Sequence, residues 1–132
     1  QPHCYNTFQK MYKAGVRIAM GADMGFEPHF GDNGWELEVY VGLGMTPMHA
    51  IQTATRNAAE ALRLQPDLGT IEAGKLADIV AVDGNPLEDI RVIQEKNNIV
   101  LVLKEGRVCV DRRPGKSKNV VQVSDWQKID NL

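Results

Sequence analysis

The sequence predicts an α/β fold in which helices surround one apolar strand in the first half and strands dominate the second. Three observations carry that reading. The run Val16, Ile18, Ala19, Met20 leading into Gly21 is apolar on both faces, the pattern of a strand in a buried parallel sheet. Apolar residues recur at helical spacing on both sides of it. From Leu68 onward, short apolar runs alternate with Gly, Asn and Pro turn signals instead.

Phe8, Met11 and Tyr12 share one face of a helix over residues 4–14, stopped at Gly15. The strand is expected over 16–21, and a Gly-rich polar loop over 24–33. Trp35, Leu37, Val39, Tyr40 and Leu43 belong to a helix ending at Gly44. Thr46 is placed as an N-cap with Pro47 in the first helical position. Met48, Ile51, Ala54 and Thr55 then line one face of the following helix. Asn57 is read as the N-cap of a third short helix over 58–64, closed by Gln65-Pro66-Asp67.

In the second half a strand is expected over 69–72, a tight turn at Ala73-Gly74 and an apolar strand over 77–82. Asp83-Gly84-Asn85-Pro86 makes a turn. Segments 100–103 and 107–111 flank Glu105-Gly106 as a hairpin, and 120–123 is expected as a short edge strand in a polar tail. The composition shift divides the chain into 1–66 and 67–132.

Composition narrows the function classes. The chain has 132 residues, 43% hydrophobic and 24% charged, enough for one ordinary core. A net charge of -2 gives no electrostatic reason to expect nucleic acid or an anionic membrane as partner. No apolar run approaches the roughly 20 residues a membrane span needs. Cys4 and Cys109 show no disulfide-scaffold spacing, which favours a reduced, cytoplasmic setting. Gln1-Pro2-His3-Cys4 is not a signal peptide and offers no initiator Met, so sequence is expected upstream.

Asp23 draws attention because an acid closes an apparently buried strand. It is either a turn residue or a carboxylate set at a strand's C-terminal mouth for chemistry. His29, in the loop beyond, is either a solvated histidine or a substrate contact. Asp32, Asn33 and Glu36 are read as caps of the next helix in preference to substrate contacts. His49 is expected on the surface, and the adjacent His3-Cys4 cannot face one ion from a helix. Asp78 is expensive inside an apolar strand unless paired. The Gly74-Lys75 turn or the Lys75 ammonium is its expected partner.

Three stretches in order, GVRIAMGADMG, ELEVYVGLGMTPMHAIQTATRNAAEAL and LGTIEAGKLADIVAVDGNPLEDI, carry a resemblance. Together they resemble the C-terminal end of the amidohydrolase superfamily, nearest its imidazolonepropionase-like and Xaa-Pro dipeptidase-like branch, over roughly residues 5 to 111. The resemblance implies a fragment of a metal-dependent hydrolase with a TIM barrel and a small β-sandwich. Residues 1–66 would supply the end of the barrel, with 16–21 as its eighth strand, and 67–132 would supply sandwich strands. It implies that Asp23 is both a ligand of Zn²⁺ or another divalent metal and the acid–base group. The family usually writes Gly-Thr-Asp where this chain has Gly21-Ala22-Asp23, so one hydroxyl is missing beside the acid. His29 would be the substrate contact.

The family's His-x-His pair and its later lysine or carboxylate and histidines have no counterpart here. The implied parent hydrolyses amide, cyclic amide or dipeptide C–N bonds of a small substrate through a metal-activated water. The chain alone is expected to be inactive. An alternative is a non-catalytic partial domain that self-associates or swaps as a homo-oligomer, since one barrel strand cannot close a barrel.

A metal prediction follows from the single acid. Tight zinc sites take three or four protein ligands, and Asp23 offers one carboxylate. Calorimetry of the 132-residue chain with Zn²⁺ is expected to show weak binding without defined stoichiometry. Submicromolar binding of one ion per chain would overturn this.

Overall fold

The computed structural model describes residues 2–22 and 31–115. Helix α1 (Pro2–Lys13) precedes an extended segment, 16–22, followed by α2 (Gly34–Gly42), α3 (Pro47–Ala54) and α4 (Arg56–Ala61). After these come strand β1 (Ile79–Val82), a 3₁₀ turn (Ile90–Ile93) and strands β2 (Ile99–Lys104) and β3 (Arg107–Asp111). The first three helices match the sequence periodicity closely, whereas α4 runs from Arg56 to Ala61 rather than over 58–64. Thr46 caps α3 as expected: its hydroxyl accepts from the His49 N–H, and Pro47 occupies the first turn.

The core lies where the helices meet. Leu37 and Tyr40 of α2, Met45, and Ala50 of α3 are buried together with Ile90. Phe8 and Tyr12 of α1, Ile18 and Met20, and Ile93 pack around them, and the Phe8 ring stacks on Tyr40 at 4.9 Å. The 3₁₀ turn therefore returns the second half of the chain to the helical core. The Asp89 carboxylate starts that turn by accepting the Arg91 N–H. The Gln94 amide reinforces the return by donating to Glu38 of α2 at 2.7 Å.

The second half forms one three-stranded antiparallel sheet in the order β1-β2-β3. Val80, Val102 and Val110 align across it, and bulges interrupt both ladders. The expected hairpin is present. Glu105 and Gly106 both take positive φ, 51° and 77°, the geometry of the two-residue turn that matches strand twist.

Three expectations are corrected. Residues 16–21 form no strand: the segment is extended but has no strand beside it among the described residues. Nor is it covered on both faces. Ile18, Met20 and Ala22 are half-buried, whereas Arg17, Ala19 and Gly21 are exposed. This alternation of exposure is that of extended backbone, but a ladder requires a neighbouring strand.

Residues 69–72 also form no strand. Gly69 sits at φ +92° with its Cα against α4, where a Cβ would come within 2.7 Å of the Ala59 Cβ, so the backbone bends there. Thr70 and the Leu68 carbonyl are bonded by the Lys75 ammonium at 2.5 and 3.5 Å.

Asp78, thirdly, is not held by Lys75 or its turn. Its carboxylate accepts from the Glu105 N–H at 2.7 Å and the Lys104 ammonium at 2.9 Å. Those contacts hold it below the usual carboxylate range, the backbone bond contributing most. The partner comes from the β2–β3 hairpin, 26 residues away, a distance that local spacing does not reveal. The expected strand at 120–123 lies outside the described residues.

An unpaired edge generates the next prediction. Arg17 and Ala19 make no backbone hydrogen bond among the described residues, and exposed edges of extended backbone recruit other chains. Light scattering on the isolated chain is expected to give a mass above that of one chain, rising with concentration. A monodisperse monomer at high concentration would overturn it.

Candidate functional site

The site is built where the extended segment ends. Its anchors come from a break between α3 and α4 at Thr55, which has φ -122° and ψ -96°. A helix end leaves carbonyls without intrahelical partners, and here the Thr53 carbonyl accepts the Met20 N–H at 2.9 Å. Thr53 itself is 1% exposed, with its hydroxyl turned back to the Ala50 carbonyl at 2.7 Å. Two residues beyond the break, the Asn57 amide donates to the Ile18 carbonyl at 2.9 Å. In extended backbone the Ile18 C=O and the Met20 N–H face the same edge. The helix break therefore does for this segment what a neighbouring strand would do.

Asn57 is thus not the helix N-cap predicted from its type. Thr55 holds the N-cap position, without a side-chain cap bond, and the Asn57 side chain points into the fold instead. Its Oδ1 is buried and accepts no hydrogen bond among the described residues.

One residue past Met20, the Gly21 N–H faces the Tyr40 hydroxyl. Burial pushes the Tyr40 phenol up to about 12, and the adjacent Glu36 carboxylate adds to the rise by favouring the protonated form. Glu36 thus serves the far end of the segment, and it sits in the first turn of α2. Asn33 occupies the N-cap position of α2 without a side-chain cap bond. Backbone carbonyls of Asp32 and Asn33 receive the Trp35 and Glu36 N–H groups instead.

Asp23 and His29 lie outside the described residues. The described chain runs up to Ala22, immediately before Asp23. His49 is exposed, as expected, and its Nδ1 meets the Tyr12 hydroxyl at 2.7 Å, which ties α1 to the start of α3. His3 and Cys4 are exposed on α1. A cleft of about 360 Å³ opens beside the segment, lined by Tyr12, Arg17, His49, Gln52, Arg56 and Asn57 among others. Among the described residues no three His, Cys, Asp or Glu side chains gather as metal ligands. The described part of the chain does not by itself fit a resident divalent ion.

Sequence reasoning missed the Thr53 carbonyl, the Asn57 tether and the Tyr40 contact. A usable signal existed for one of them. In Thr55-Arg56-Asn57 a second cap-forming residue, Thr55, lies two positions before the Asn and could take the N-cap position in its place.

Comparison with known proteins gives a consistent set of matches. A family model described as the amidohydrolase family matches residues 4–109. Ochratoxinase of Aspergillus niger is 41% identical over 104 residues, covering 77% of this chain and 21% of that protein. Imidazolonepropionase of Pyrobaculum arsenaticum is 39% identical over 105 residues, covering 74% of this chain and 25% of that protein. A solved structure of a Xaa-Pro dipeptidase with bound methionine in its active site matches at a TM-score of 0.74 and 47% identity. It covers 81% of this chain and 25% of that one. The chain therefore spans a fifth to a quarter of the length of these relatives.

The Tyr40 environment makes a pH prediction. Its folded pKa, about 12, lies above the ordinary value of 10.0. Above pH 10 the unfolded chain releases the phenol proton while the folded chain keeps it, so stability falls as pH rises from 10 towards 12. Denaturant melts of the wild type and Tyr40→Phe across that window are expected to show a shallower decline in the variant. Equal slopes would overturn it.

Proposed function

Because the chain belongs to the amidohydrolase family, we propose that it is the C-terminal segment of a hydrolase that cleaves C–N bonds with Asp23 as its acid–base group. The observation that carries this reading is the anchoring of 16–22. Hydrogen bonds at Ile18 and Met20 hold the backbone of the segment that leads to Asp23. A group that must sit within hydrogen-bond reach of a substrate needs such a support.

The substrate class is an amide, cyclic amide or dipeptide. The named activities of relatives support it: ochratoxinase, imidazolonepropionase and Xaa-Pro dipeptidase. The Asp23 carboxylate takes a proton from the hydrolytic water as its oxygen bonds to the carbonyl carbon. As the C–N bond breaks, the same group returns that proton to the leaving nitrogen, giving an acid and an amine. His29 contacts the substrate. Zn²⁺ or another divalent metal in the parent would draw its remaining ligands from outside the described residues.

A second reading has its own support. The edge at Arg17 and Ala19, without a backbone hydrogen bond among the described residues, favours a non-catalytic partial domain for the chain in isolation, one that self-associates and is inactive without the rest of the barrel.

Full-length protein assayed on Xaa-Pro dipeptides, N-acyl amino acids and cyclic amides tests the proposal. Asp23→Asn is expected to lower kcat by about 10² to 10⁴ while retaining metal content. His29→Ala is expected to raise KM more than it lowers kcat. Near-normal kcat in a fully metallated Asp23→Asn enzyme would reduce this acid to a turn residue.

A further inference from the structure

The geometry points to Asn57 as a positioning residue that holds the backbone leading into Asp23, an inference that rests on the role of Asp23 proposed above. Two hydrogen bonds hold one edge of the extended segment: Met20 N–H to the Thr53 carbonyl, and the Asn57 amide to the Ile18 carbonyl, both 2.9 Å. One bond alone leaves a pivot. A second, two residues away on the same edge, fixes both the register and the rotation of the backbone that leads to Asp23. Asn57 is the side chain that supplies it.

The chemistry of the Asn57 carboxamide argues that this bond is kept for geometry. Its Oδ1 is buried without a hydrogen-bond partner among the described residues, and a buried half-satisfied amide is costly for stability. It does not cap α4, where Thr55 takes the N-cap position. An alanine there would suit the helix better and bury no orphan oxygen. What alanine cannot do is reach the Ile18 carbonyl, 39 residues earlier in the chain.

Loss of the tether should therefore act on catalysis through Asp23. Without it the segment loses one of its two edge bonds, and misplacement of a catalytic group by about 1 Å can cost on the order of 10²-fold in rate.

A double-mutant cycle in the full-length enzyme tests this, with hydrogen exchange as a reading independent of activity. Asn57→Ala is expected to lower kcat by about 10- to 100-fold with little change in KM. Amides in the peptide spanning 16–22 should exchange faster. In an Asp23→Asn background the same substitution should lower kcat by no more than about twofold, because the group it positions is already gone. If Asn57→Ala does not fold, Asn57→Ser gives the same readings, since its hydroxyl is too short for the Ile18 carbonyl.

An equal fall in kcat in both backgrounds, or unchanged exchange over 16–22, would overturn the role of Asn57 and leave Asp23 standing. A near-normal kcat in Asp23→Asn alone would overturn both.

Discussion

The described structure depends on how an extended segment without a strand neighbour satisfies its backbone. Buried N–H and C=O groups need partners, and Ile18 and Met20 find theirs in a break between two helices. The Thr53 carbonyl is available because α3 ends there. The Asn57 amide is available because α4 begins at Arg56 and presents its first turn to the same edge. Had α3 run on through Thr55, that carbonyl would have been consumed within the helix. The break is therefore what attaches 16–22 to the core.

The same core draws in the second half of the chain. Ile90 is buried among Leu37, Tyr40, Met45 and Ala50, and Gln94 bonds Glu38. Tyr40 stands at the junction: its ring stacks on Phe8 of α1, and its hydroxyl faces Gly21 and Glu36. Tyr40 thus lies against both the helical layer and the end of the 16–22 segment. In the proposed function the acid–base group follows directly on this segment, and the edge at Arg17 and Ala19 makes no backbone hydrogen bond among the described residues.

The sheet shows a comparable division between local and distant control. The turn at Glu105-Gly106 sets the β2–β3 hairpin from local sequence. The hairpin then returns two groups, the Glu105 N–H and the Lys104 ammonium, to the Asp78 carboxylate. The Gly106 N–H also bonds the Ala77 carbonyl at 3.1 Å. One turn thus both closes its own ladder and neutralises an acid beside β1 that would otherwise be expensive.

The sequence by itself determined whatever a few neighbouring residues can encode. Helical spacing marked α1 to α3, Thr46-Pro47 marked a capped start, and Glu105-Gly106 marked a hairpin. Motif order likewise disclosed the family, since Thr55 to Ala59 and the stretch from Gly69 to Val80 keep their spacing in any context. The candidate site was legible only in part: Asp23 stood out, whereas the groups that anchor the segment before it did not. Tertiary structure alone decided that 16–21 is extended without being a strand, and that Asn57 tethers rather than caps. It alone decided that Asp78 pairs with Lys104 and that Ile90 enters the helical core. In each case the deciding partner lies at least 26 residues away. Local propensity selects a conformation, but hydrogen-bond partners and burial are settled only by which distant groups the packed chain brings alongside.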